Sequence, residues 1–188
     1  MTKLWAIGRT TFLQTIRQPI YGVLIVVTFA LLVMNLPLSG FTVSSDSGSS
    51  DQKMMESIGL STLMLTGLLI AAFSAAAALG REIDDKTALT VVAKPVTRAT
   101  FVIGKFLGVT SAVVLAYYLC GLVLLMTVRH GVMPTVRHHV DMPVLIIGLS
   151  ALTLGFFVAL IGNLMFNWTF TSAIVWAETV LLSAAMAI

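Results

Sequence analysis

Four groups of residues in this 188-residue chain have types and spacings that bear on chemistry. Glu178 is the only acidic residue deep inside an apolar run. A carboxylate in lipid is costly, so it must face protein or water. It suits a translocation path or a proton site. It equally suits pairing with polar groups of a further helix, or a place not far from the outer interface. The second group is His130, His138 and His139, beside Arg129, Arg137 and Asp141. Three imidazoles can bind a metal. The spacing H-x7-H-H, however, lacks the H-x-x-x-H and H-x-x-H-H series of membrane di-iron oxygenases, and an exposed polar loop is the simpler reading. Gly80, Lys86 and Thr87 form the third group, with the spacing of the phosphate-binding loop G-x-x-x-x-G-K-[ST]. Asp85 occupies the second glycine position, where a carboxylate repels phosphate. The stretch also follows an apolar run instead of a strand, so nucleotide binding by this chain is set aside. The fourth group is the acidic cluster Glu82, Asp84 and Asp85, set among Lys and Arg.

The elements that must position these residues follow from composition. Of the chain, 58% is hydrophobic and 10% charged, and the mean hydropathy is +1.01. Soluble domains carry roughly 45–50% apolar and about 25% charged residues, so the chain reads as an all-α integral membrane protein. A single cysteine, Cys120, rules out a disulfide framework and a cysteine-rich metal centre. The pI near 9.3 does not point to nucleic acid, because the basic residues are split among short loops.

A spanning helix needs about 20 mostly apolar residues. Five segments qualify: 20–38, 58–79, 101–128, 143–162 and 168–188. The first is too long for a cleaved leader and is read as a retained span. The segments make one transmembrane domain over 1–188, with loops that alternate between two sides. One side carries Lys3, Arg9, Arg17, Arg81, Lys86, Lys94, Arg98 and Lys105; the other carries Lys53, Arg129 and Arg137. Cytoplasmic loops hold the excess of Lys and Arg, so the N-terminus is expected in the cytoplasm, as is the turn at 163–167. An odd number of spans puts Ile188 outside, and a sixth span is expected to be missing from this sequence.

Between the spans, residues 1–18 read as an amphipathic helix lying in the cytoplasmic interface. Trp5, Phe12 and Ile16 share one face of its helical wheel, flanked by Leu4 and Leu13. Lys3, Thr10, Gln14, Arg17 and Gln18 share the other, while Ile7 and Arg9 break the pattern. Pro19 marks the bend into the first span. Residues 39–53, rich in Ser, Gly and Asp, read as a flexible outer loop.

The segment Gly80–Gly108 is the most informative. Its acidic residues open a short helix, where negative charge suits the dipole. Glu82 and Lys86 form a favourable i,i+4 pair, and Ile83, Leu89, Val91 and Val92 supply apolar contact. Lys94 before Pro95 ends that helix near Ala93, and Thr97 caps the next. The positive-inside rule explains the lysines and arginines here but not the three carboxylates, and the mixture fits a docking surface. Small residues recur elsewhere: Gly104 and Gly108 in a G-x-x-x-G, and Gly148, Gly155 and Gly162 at seven-residue intervals. These read as helix-packing faces, since small residues let helices approach closely in lipid.

On Glu82, Thr87, the run Ala88–Ala93, Lys94-Pro95-Val96-Thr97-Arg98 and Gly104-Lys105, the chain resembles the permease subunits of type-2 ATP-binding cassette (ABC-2) exporters. The N-terminal stretch R-T-T-F-L-Q-T-I-R-Q-P is similar to that family's interfacial helix. Motif support runs to about residue 110; beyond it only the hydropathy pattern agrees, and the family usually has six spans where five are counted here. The resemblance implies a transport subunit that is not itself an enzyme and holds no cofactor. ATP and Mg would sit on a separate ABC ATPase. The segment 81–98 would couple the two, with Glu82, Asp85, Lys86 and Thr87 as polar and Ile83 and Leu89 as apolar coupling residues. Pro95 and Arg98 would fix the return into the membrane. It also implies a multi-pass protein of the plasma membrane, the inner membrane in a bacterium. A second permease copy or paralogue would complete a dimer that passes substrate outward, in contact with lipid and not with nucleic acid. Two other classes stay open: a membrane-embedded enzyme or metal protein using the histidines or Glu178, and a non-transporting assembly subunit.

Overall fold

Long apolar runs in lipid can satisfy their backbone polar groups only as helices or closed barrels, and this chain takes the helical solution. The computed structural model describes residues 2–40, 49–84, 97–130 and 142–187, with side chains for 3–36, 52–81, 97, 99–129 and 146–187. Six helices make up the described residues: α1 (Thr2–Ile16), α2 (Pro19–Gly40), α3 (Ser49–Asp84), α4 (Arg98–His130), α5 (Met142–Phe166) and α6 (Phe170–Ala187). No strand occurs among them. The last five are long and apolar enough to cross a membrane, which makes this an all-α polytopic bundle.

The helix ends have local causes. Pro19 stands at the first position of α2, where its missing N–H costs nothing, and Arg17 and Gln18 form the link from α1. Thr97 caps α4 as expected: its Oγ1 accepts the Thr100 N–H at 3.3 Å. Between α5 and α6 the chain turns at Asn167, whose φ of 53° lies in the left-handed region that Asn tolerates. Asn163 Nδ2 donates to the Trp168 carbonyl at 2.7 Å and fixes that turn. The connection is therefore 167–169, later than the expected 163–167, because Asn163 is spent as a helical side-chain donor and not as a turn residue.

Two helices overrun the expected spans. α3 has 36 residues and α4 has 33, about 54 and 50 Å at 1.5 Å per residue, against a hydrocarbon core of about 30 Å. The start of α3 corrects the outer-loop reading of 39–53, since 49–53 are helical and α2 runs on through Gly40. Asp51 falls in the first turn of α3, where a carboxylate suits the dipole. Asn35 Nδ2 also donates to the Met55 carbonyl at 2.8 Å, tying α2 to the beginning of α3.

α4 is the axis of the bundle and touches every other helix. Around it are buried Tyr21, Leu32, Ile70, Leu119, Val175 and Leu182. Tyr21 Oη donates to the Ala112 carbonyl at 2.8 Å, which joins α2 to α4. Buried hydroxyls are satisfied on their own helices, as Thr28 on Leu24 (2.7 Å) and Thr127 on Leu124 (2.7 Å). The outside is apolar too. Leu68, Phe106, Leu164 and Met165 are each 60% or more exposed, a surface that suits lipid and not water.

α1 packs along the first half of α4 by a face that shares Phe12, Leu13 and Ile16 with the apolar side of the wheel but is broader than it. Trp5 is 75% exposed, whereas Thr11, Thr15 and Ile16 are buried. Ile7, set down as a break in the pattern, lies against Gly104, and Gln18, assigned to the polar face, is buried. The wheel assigns Gly8, Thr11 and Thr15 to neither face. At a close helix crossing small size outweighs polarity, and these residues make the contact surface.

Candidate functional site

A cavity in the bundle has a buried carboxyl group in its wall. It measures about 360 Å³, within the range of small-molecule sites. α2 contributes Ile25 and Phe29, α5 contributes Leu152 and Phe156, and α6 contributes Val175 and Glu178; Leu119 of α4 closes one side. Every residue there but Glu178 is apolar. Val26, Val33 and Leu149 also line it and are 37–53% exposed, so its lip opens to the outer, lipid-facing surface of the bundle.

Glu178 is 4% exposed. Its Oε2 has no hydrogen-bond partner among the described residues. It stands ninth of the eighteen described residues of α6. Gly155 of α5 faces it so closely that any Cβ there would collide with the carboxyl group. The glycine thus makes the room that the carboxyl occupies. Gly22 plays a similar part on the other flank, with a built Cβ 3.1 Å from Thr171 Cγ2, bringing α2 and α6 together. An intramembrane carboxylate without a counter-charge carries a high desolvation cost. The arrangement can bind a cation or a proton at a fixed point in an apolar room.

The remaining glycines have distinct neighbours. A Cβ on Gly104 would lie 3.0 Å from Ile7 Cγ2, and one on Gly108 would lie 2.6 Å from the Gly8 carbonyl oxygen. Both therefore face α1. Gly162 lies under the ring of Trp168, and Gly148 meets only Met126 Sδ at 3.8 Å. The seven-residue series thus does not serve one partner helix: its members face α4, α6 and the α5–α6 turn in succession.

The coupling residues divide by position. Glu82, Ile83 and Asp84 belong to the last turn of α3, so Glu82 and Asp84 close that long helix instead of opening a short one, and Arg98 is the first residue of α4; their side chains are outside the described set. Asp85, Lys86, Thr87, Leu89 and Pro95 lie wholly outside the described residues, as do His138 and His139; His130 ends α4. Among the described residues no three His, Cys, Asp or Glu side chains converge as a metal site. Next to this region, Arg81 donates from Nε to the Ala77 carbonyl (3.2 Å) and from Nη1 to the Gln14 carbonyl (3.5 Å), linking α3 to α1. Lys105 holds its ammonium 4.8 Å from the centre of the Phe101 ring, a cation–π contact.

Sequence reasoning singled out Glu178 and Gly155 separately and missed that they meet. The usable signal was the pairing of the one intramembrane acid with a residue that has no side chain. The apolar walls of the cavity carry no such signal. Comparison of the chain with protein-family models, with curated proteins and with solved structures returns no match in any of the three.

Proposed function

We propose that this chain is the membrane-spanning permease subunit of an ABC-2-type exporter, moving a substrate across the membrane with energy from a separate ATPase. The observation that carries the reading is the charged run from Gly80 to Gly108, which joins two helices longer than a membrane is thick. Three carboxylates beside Lys and Arg, two in the last turn of α3 and one just past it, exceed what membrane orientation requires. They suit a protein partner on that face. The charge bias of the loops makes it the cytoplasmic face, with the N-terminus on the same side.

In this reading, closure of the ATPase pushes the 82–93 segment, and α3 and α4 carry the push as rods. α4 touches all other helices, so its displacement reaches the whole bundle. α1 is held to it at Gly104 and Gly108 and moves with it. Coupling of this kind needs an element with two arrangements that both sites bias, a role this reading gives to the α1–α3–α4 group. A second copy or paralogue forms the other wall of the pathway. ATP and Mg are bound by the partner and not by this chain.

The test is affinity purification from native membranes in mild detergent. An ATPase with Walker motifs is expected to accompany the wild type and to be lost from the Glu82→Lys/Asp85→Lys double variant. Absence of any ATPase, under conditions that keep other membrane complexes intact, would overturn the reading.

A further inference from the structure

The cavity between α2, α5 and α6 combines two properties that seldom meet. Its walls are apolar, and its single polar group is a carboxyl that is 4% exposed with one oxygen unpartnered. We propose that it is a binding site for a lipophilic organic monocation, whose charge rests on Glu178 and whose apolar body fills the space between Phe29, Leu152 and Phe156.

Three alternative occupants meet physical objections. A divalent metal ion wants about six oxygen ligands, and the wall offers one carboxyl among hydrocarbon. A neutral apolar molecule would leave Glu178 without a partner, at the cost of a buried unpaired polar group. An anion would meet the carboxylate head on. A monocation that carries its own apolar shell loses little hydration on entering and supplies the missing charge. The approach fits as well. The lip is formed by Val26, Val33 and Leu149 on the lipid-facing surface, so such a molecule reaches the cavity from the bilayer, where it already concentrates. Gly155 leaves the room that the carboxyl group occupies.

Binding at this site stands on the cavity alone. Calling the bound cation a transport substrate rests on the permease reading above. A binding assay without an ATPase therefore separates failure of the site from failure of that reading.

The experiment is equilibrium dialysis of the purified full chain in detergent against tetraphenylphosphonium, with tetraphenylborate as an anion of the same shape. Saturable binding of the cation and not of the anion is expected. Glu178→Gln, which keeps the shape and removes the charge, should weaken cation binding by at least about tenfold. Ala30→Phe, which fills the cavity and keeps the carboxyl, should weaken it to a similar degree. Glu178→Asp should restore part of the affinity. All variants are first checked for a single symmetric species by gel filtration, so that a misfolded variant is not scored. Equal binding of cation and anion, or full affinity retained in either Glu178→Gln or Ala30→Phe, overturns the proposal. So does the absence of saturable binding, the result expected if another helix or a second copy of the chain already fills the cavity.

Discussion

Replacing Gly108 with alanine tests the α1–α4 contact on which the coupling argument depends. The new Cβ would lie 2.6 Å from the Gly8 carbonyl oxygen, 2.7 Å from Thr11 Cβ and 3.1 Å from the Phe12 nitrogen. The first and last of these are backbone atoms, so no rotamer change relieves the clash. α1 must retreat by about 1 Å to recover ordinary contact distances of about 3.5 Å or more. Overpacking of this kind costs about 1–3 kcal/mol, and alanine recovers about 0.5–1 kcal/mol through its better helix propensity. The net loss is about 0–2.5 kcal/mol, which lowers Tm by up to about 10 °C in a chain of this size. Gly121→Ala is the control on the same helix: nothing lies within 4 Å of its Cβ. There only the propensity gain acts, and Tm rises by about 1–4 °C. Tryptophan emission followed during heating in detergent, at one scan rate, measures both. Equal shifts for the two variants would refute the close crossing of α1 over α4.

Further expectations concern single contacts. Tyr21→Phe removes the buried bond to the Ala112 carbonyl and should cost about 0.5–1.5 kcal/mol in a mixed-micelle unfolding titration. Thr97→Ala removes the cap of α4 and should cost about 1 kcal/mol, with faster amide exchange confined to residues 98–101; unchanged exchange there would contradict the cap. Glu178→Gln should leave Tm unchanged or raise it, since it removes the charge of a buried carboxyl whose Oε2 has no partner among the described residues. A clear fall in Tm would mean that the carboxylate is paired.

The spans were legible in the sequence because lipid leaves the backbone few choices: an apolar run of sufficient length is a helix whatever its neighbours do. Thr97 and Pro19 were legible for a similar reason, since a cap and a first-turn proline act within a few residues. The start of α3 was not. Its polar opening, Ser49 to Lys53, resembles a loop by composition, and the bond from Asn35 to Met55 that helps hold it arises from the other end of the preceding helix. Part of the buried face of α1 was hidden because glycine and threonine score as neutral on a hydrophobic wheel yet pack well where helices cross closely. The cavity was hidden for a third reason. Glu178 and Gly155 are 23 residues apart in the chain, and no local spacing announces that α5 and α6 bring them face to face.

The central claim is that the segment between α3 and α4 docks on an ATPase, and site-directed photocrosslinking tests it most directly. A photoreactive amino acid is placed at Asp85, Lys86 or Leu89 in turn, with Tyr118, exposed on the membrane flank of α4, as the control. After illumination of native membranes, adducts are identified by mass. Adducts from the three segment positions to one Walker-motif protein, altered by ATP and absent at Tyr118, are predicted. Adducts to lipid or unrelated proteins alone, or the same partner captured equally at Tyr118, would contradict the account.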